Sequence, residues 1–208
     1  MATLTLPYGV DKVILPLSPE DGRRYFEDIC AKNPDLRLEL TEEGYIILMA
    51  PVGLEGSFQS GEVFRQLANW SKKDGTGIAV ESSAGFRLPS RAVRAPDAAW
   101  VSWERLSVIP PASRKRFVAL SPDFAVEVMS PSDEERELME KCRRYIKNGT
   151  REVWLLNPET RRVFVYLSEA EEVYENPSKI QSRTLLGFTL RLRTVWKGLG
   201  SHGDKFTS

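Results

Sequence analysis

The sequence predicts an α/β fold of the mixed (α+β) kind, a mixed β-sheet flanked by helices. Short runs rich in β-branched and aromatic residues recur between turn-forming clusters, among them Ile78–Glu81, Phe124–Met129 and Val153–Leu156. Three longer segments repeat apolar residues at helical spacing and carry recognisable ends. Strands come in groups on either side of a helix, not in strict alternation with helices. A purely parallel, doubly wound sheet would therefore lack the crossovers it needs.

The elements follow in order. The first seventeen residues, an apolar lead containing proline, fit no element. Ser18-Pro19-Glu20-Asp21 opens a helix with serine at the N-cap, proline at N1 and acids in the first turn. That helix runs to about Lys32 and stops before Asn33-Pro34. Leu36–Leu40 and Tyr45–Met49 read as a hairpin about Glu42-Glu43-Gly44. From Glu55 to about Lys72, residues Val63, Phe64, Leu67 and Trp70 share one helical face, and Asp74-Gly75-Thr76-Gly77 ends the pattern.

Strands are then expected at Ile78–Glu81, Gly85–Leu88, Asp97–Trp103 and Phe124–Met129, the last two joined by a polar, proline-rich connection holding Ser113-Arg114-Lys115-Arg116. Ser132-Asp133-Glu134-Glu135 has the form of a capping box, so a helix is expected over Ser132–Asn148 with Gly149 just past its end. Val153–Leu156 and Val163–Leu167 pair about Asn157-Pro158-Glu159-Thr160, and weaker strands are expected at Glu172–Tyr174 and Arg183–Leu186. No repeat or linker divides the chain. The reading is one domain over residues 1–198 and a disordered tail over 199–208.

Composition removes several chemistries. Among 208 residues, 41% are hydrophobic, and 29 basic residues balance 29 acidic ones, so no overall field draws the molecule onto nucleic acid. The single histidine, His202, sits in the polar tail, which excludes histidine-based nucleophilic triads and His-ligated zinc. No phosphate-binding GxxxxGK[ST], GxGxxG or GxSxG motif occurs. Cys30 and Cys142 have no metal-ligand spacing and read as reduced, partly buried thiols. There is no leader-like start and no apolar stretch of ~18 residues, so the expected setting is cytoplasmic, with no membrane partner. The chemistry falls to carboxylates, lysine and a hard metal ion.

Two acids and a lysine stand out. Asp97 follows Pro96 at the head of the apolar run Ala98-Ala99-Trp100-Val101; the bland alternative is a strand-start acid. Glu127 lies within Phe124-Ala125-Val126-Glu127-Val128-Met129, sharing a face with Ala125 and Met129. A carboxylate there needs a cation, a metal or a proton, and a structural ion pair is the alternative. Leu138, Lys141, Cys142 and Tyr145 recur at i, i+3, i+4 and i+7, so Lys141 flanks the buried stripe, with Arg144 and Lys147 pointing outward. Carboxylates that hold Mg²⁺ and a lysine that stabilises developing charge are the parts of metal-assisted phosphodiester hydrolysis.

Arg-Ala-Pro-Asp-Ala-Ala-Trp-Val-Ser (94–102), Pro-Asp-Phe-Ala-Val-Glu-Val-Met-Ser-Pro-Ser-Asp (122–133), the Lys141–Tyr145 pair, Asn148-Gly149 and Glu152–Pro158 together resemble the "putative restriction endonuclease" (Uma-type) family of the PD-(D/E)XK nuclease superfamily. Met49-Ala50-Pro51 and Gly85–Pro89 extend the resemblance over residues 15–198. It implies a restriction-endonuclease-like core and a Mg²⁺- or Mn²⁺-dependent DNA endonuclease, with Asp97, Glu127 and Lys141 catalytic and Asp97 and Glu127 ligating the metal. The superfamily's usual lysine position holds Met129, and Lys141 on the next helix matches the family's displaced lysine. Glu55 matches a position that implies an auxiliary metal ligand. Asn157 stands where the family more often has aspartate, and a histidine common near Gly56 or Ser57 is absent.

DNA and a divalent metal are thus the expected partners, with a homodimer suiting cleavage of both strands of a duplex. Arg87, Arg91, Arg94, Arg114, Lys115 and Arg116 are candidate phosphate contacts, although a short basic run in a loop is more commonly a solvated cluster. The rival reading is a catalytically weak or inactive nuclease-fold protein acting as a nucleic-acid-binding or assembly module. Trp100, Trp103 and Trp154 read as core or edge aromatics.

Overall fold

A computed structural model describes residues 12–199. The expected tail, with His202, lies outside the described residues apart from Leu199, and so does most of the apolar lead. What is described of the lead includes β1 (Lys12–Ile14), followed by helix α1 (Pro19–Lys32) and the hairpin β2 (Arg37–Leu40) and β3 (Ile46–Met49). Helix α2 (Leu54–Asp74) leads into β4 (Gly77–Glu81), the two-residue strands β5 (Phe86–Arg87) and β6 (Val93–Arg94), and β7 (Ala98–Ser102). A short helix α3 (Trp103–Ser107) and a 3₁₀ turn at Ser113–Lys115 fill the connection to β8 (Phe124–Val128). Helix α4 (Glu135–Lys147) crosses to β9 (Glu152–Asn157), which is followed by β10 (Arg162–Leu167) and β11 (Glu171–Glu175). The short pair β12 (Lys179–Gln181) and β13 (Thr189–Arg191) and helix α5 (Arg193–Lys197) complete it.

The expected mixed sheet is present as a six-stranded layer in the order β11-β10-β9-β8-β7-β4. Its one parallel pair is β8–β9, because α4 supplies the crossover a parallel return requires. The strand periodicity of two then sorts the core. Ala98, Trp100, Val126 and Trp154 face α2, where Val63 and Leu67 meet them. Ala99, Ala125, Val153 and Leu155 face the other way, against Cys142 and Tyr145 of α4. A second sheet, β1-β3-β2-β6-β5, packs its own apolar set on Phe26 and Ile29 of α1. Trp100 and Trp154 are core residues, whereas Trp103 is half exposed.

Two expectations are corrected. Helix α4 begins at Glu135, not Ser132, and its N-cap Glu134 makes no side-chain cap. The reason is local: the Asp133 carboxylate accepts the amide and hydroxyl of Ser130, which ties the segment into a turn instead of a capping box. Arg183–Leu186 is not a strand but the connection between β12 and β13. The Ser182 hydroxyl and the Arg183 and Thr184 amides all donate to the buried Glu152 carboxylate, which holds the segment in a turn.

Candidate active site

The main sheet brings two of the three expected residues side by side. Ala98 pairs with Val126 and Ala99 with Ala125 in the antiparallel β7–β8 ladder. One step further along that register, Asp97 stands across from Glu127, so both carboxylates leave the same face of the sheet. Pro96 keeps the chain extended as it enters β7. The Val128 amide donates to Asp97 Oδ2 at 2.8 Å, locking the aspartate to the end of β8. Asp97 Oδ1 has no hydrogen-bond or ion-pair partner among the described residues.

Helix α4 supplies the third. Lys141 reaches back over the sheet, with its Nζ 2.9 Å from Glu127 Oε1. One turn further on, buried Tyr145 donates its hydroxyl to the same oxygen at 3.2 Å. Glu127 Oε1 is thereby occupied twice, while Oε2 has no such partner among the described residues. Arg144 lies further out, 3.3 Å from Glu43. Burial pushes the Cys142 thiol well above its ordinary range, so it is an inert core group.

Glu39 was missing from the sequence reading. It sits mid-strand in Arg37-Leu38-Glu39-Leu40 and is 2% exposed. Its Oε1 is 3.0 Å from Lys141 Nζ and also accepts the Ala95 amide at 3.0 Å, while its Oε2 accepts Arg94 at 2.8 Å. The signal was available: an acid facing inward from an apolar strand is the argument that identified Glu127. Its partners were not visible, because they come from β6 and α4.

The electrostatics follow from this packing. Burial would push Lys141 down, yet Glu127 and Glu39 outweigh it and hold the ammonium above its ordinary range. Burial would raise Glu39, but Lys141 and then Arg94 reverse the sign and bring it to about 2. Glu127 goes the other way: burial outweighs Lys141, Asp97 and Glu39 add like charge, and its pKa rises to about 7. Asp97 is also raised, by burial, against the opposing Val128 amide and Lys141 charge.

Asp97, Glu127 and Lys141 open onto one cleft of about 480 Å³, whose other walls include Arg37, Met49, Ser130 and Asp133. A larger cleft of about 610 Å³, between α1 and the 114–118 segment, contains none of the three. Glu55 does not line the 480 Å³ cleft: its carboxylate accepts the Leu199 amide at 3.1 and 3.2 Å. Arg94 is buried on Glu39, not displayed to solvent, and Arg87 and Arg116 pair with Glu27. Arg114 donates to the carbonyls of Ile109 and Leu106. Arg37 forms no ion pair among the described residues and donates weakly to the Ser82 carbonyl at 3.4 Å.

Among the described residues no group of three or more His, Cys, Asp or Glu side chains is placed to hold a metal ion. The donor chemistry still fits a magnesium-type ion, which takes one or two carboxylates and completes its shell with water and substrate oxygens. No helix of the described residues is long and apolar enough to cross a membrane.

Residues 23–193 match the model of a family, Uma2, described as "Putative restriction endonuclease". A solved structure with a similar fold, at a TM-score of 0.64, is that of a "putative nuclease belonging to DUF820" from Anabaena variabilis. The two are 20% identical, and the match covers 77% of this chain and 89% of that one. No curated protein matches.

Proposed function

The chain belongs to this restriction endonuclease family, and from that membership we propose that it is a Mg²⁺- or Mn²⁺-dependent endonuclease of DNA with Asp97, Glu127 and Lys141 as its reacting centre. One observation carries the assignment to these residues. The two carboxylates share a sheet face, and each has one oxygen tied by protein donors and one left over beside the same cleft.

Asp97 and Glu127 are the residues that would hold the ion through those remaining oxygens. When bound, a divalent ion supplies an activated water and neutralises charge on the scissile phosphate. The chain's own groups do the rest. Lys141 keeps its proton, so its ammonium donates to a phosphate oxygen and stabilises the charge that develops there. Tyr145 and Lys141 together fix the Glu127 carboxylate in one orientation. Arg37, on the cleft wall and without an ion pair among the described residues, is a side chain placed to meet a substrate phosphate.

Calorimetric titration with Mn²⁺ and a nicking assay on supercoiled and single-stranded DNA test the proposal together. The wild-type protein is expected to bind the ion and cut, and Asp97→Asn and Glu127→Gln to abolish both. A folded wild type that neither binds Mn²⁺ nor cuts any DNA form would overturn it.

A further inference from the structure

We infer that Glu39, braced by Arg94, positions Lys141 for the reaction and is not itself a ligand of the metal. The inference rests on the nuclease reading above and adds to it a residue from outside the main sheet.

Lysine on α4 poses a problem that lysine on the strand would not. A strand side chain is aimed by the pleat, whereas Lys141 ends a flexible four-carbon stem that crosses from a helix to the sheet. Its ammonium has three donors, and two carboxylates stand within 3.0 Å of it, Glu127 and Glu39. Glu127 alone is a poor anchor for a lysine at a metal site. Once Glu127 shares its charge with a bound cation, it attracts Lys141 less, and the cation repels the ammonium. Glu39 has no such competing duty. With two donors directed at Glu39 and Glu127, the third is left for the cleft that Lys141 lines.

The surroundings of Glu39 argue against a ligand role. Oε1 accepts both Lys141 and the Ala95 amide, and Oε2 accepts Arg94. Drawing this carboxylate onto a metal would leave Arg94, 6% exposed, as an unpaired buried charge. Glu39 also borders a different cleft from the one that Asp97 and Glu127 line, and Lys141 lies between the two. The hairpin strand β2 and the short strand β6 thus stand in the site as a brace for a lysine that reaches the sheet from α4.

The experiment compares Glu39→Gln with wild type in steady-state cleavage, Mn²⁺ calorimetry and circular dichroism. Loss of the anchoring charge is expected to lower kcat by about 10²-fold, the scale of a misplaced reacting group. KM and Mn²⁺ affinity should stay within about three-fold, because neither substrate nor ion touches Glu39. Glu39→Asp, which keeps the charge, should recover part of kcat. A purely structural role would lower the melting temperature and leave kcat of the folded fraction unchanged; that result overturns the inference. So does a loss of Mn²⁺ affinity of about tenfold or more, which would make Glu39 part of what holds the metal, as ligand or as a partner of one, and not a group that only aims Lys141. If Glu39→Gln does not fold, Arg94→Lys loosens the brace with both charges kept, and the same divergence of kcat from Mn²⁺ affinity decides. A wild type that neither binds Mn²⁺ nor cuts sinks the nuclease reading and this inference with it. A cutting wild type whose folded Glu39→Gln variant keeps full kcat sinks this inference alone.

Discussion

Two buried glutamates on one lysine are driven in opposite directions, and that contrast sets the pH behaviour of the site. Glu127, raised to about 7, holds a proton below that pH in the metal-free protein. Divalent affinity is therefore expected to weaken by up to about tenfold per pH unit as pH falls below that point, measured by Mn²⁺ titration from pH 8 to 5.5. The stability linkage has its own sign. Because the folded state of Glu127 binds the proton more tightly than the usual 4.5, its contribution to metal-free stability declines as pH rises from about 4.5 to 7. Glu39, lowered to about 2, contributes stability above about 4.5 that is lost as pH falls toward 2. Urea unfolding of wild type against Glu127→Gln and Glu39→Gln should place the two differences in those separate windows. Tyr145 belongs to the same scale. Tyr145→Phe removes one buried hydrogen bond to Glu127 and should cost roughly 1–2 kcal/mol, read from urea midpoints.

Elements decide whether these residues meet. Glu39 rides on the β2–β3 hairpin, and that hairpin is seated on α1 through two glycines. A methyl group on Gly22 would run into the Gly44 carbonyl, and Gly44 itself has φ +102° with its open side against the Pro19 carbonyl. Gly22→Ala is therefore expected to push the hairpin off α1, with a stability loss of roughly 1–3 kcal/mol and a larger fractional loss of kcat than of Mn²⁺ affinity. Equal losses of both would show that the hairpin does not carry a lysine-positioning group. Much of this element level is legible in the sequence. Ser18-Pro19 starts α1, Gly75 in the left-handed region ends α2, and the turn at Glu42–Gly44 closes the hairpin, because each signal is local chemistry. What could not be read is non-local. The Ser132 capping box gives way to an Asp133–Ser130 turn, and Arg183–Leu186 is held as a turn by Glu152 from another strand. Asp97 and Glu127 could be named from strand logic and family pattern, but Glu39 needed the ion pairs that bring Lys141 of α4 and Arg94 of β6 to it.

For the whole molecule, charge balance is the constraint on how it meets a polyanion. The formal net charge is zero, so no overall field draws in a polyanion and affinity at the cleft must come from the cations that line it. Many arginines are committed: Arg94 to Glu39, Arg162 to Glu135, Arg143 to Glu171, Arg183 to Glu172 and Arg65 to Glu62. The rim of the cleft is itself acidic, with Asp133, Glu134 and Glu137 on its wall. A nucleic acid seated there meets a small number of cations, with Arg37 and Lys141 the two among the described residues that line the cleft with Asp97 and Glu127. Each neutralised phosphate adds about −0.9 to the slope of log affinity against log salt on duplex DNA, and about −0.7 on single strands. The expected slope is therefore shallow, roughly −2 to −3 on duplex, in contrast to the steep values of proteins that coat DNA. Fluorescence anisotropy with the metal-free Asp97→Asn variant isolates binding from cleavage. Arg37→Gln in that background should make the slope less negative by about 1 and weaken binding to all sequences alike. A slope unchanged by Arg37→Gln would remove that side chain from the phosphate path, and a slope steeper than about −5 would mean that cations outside the cleft also receive DNA.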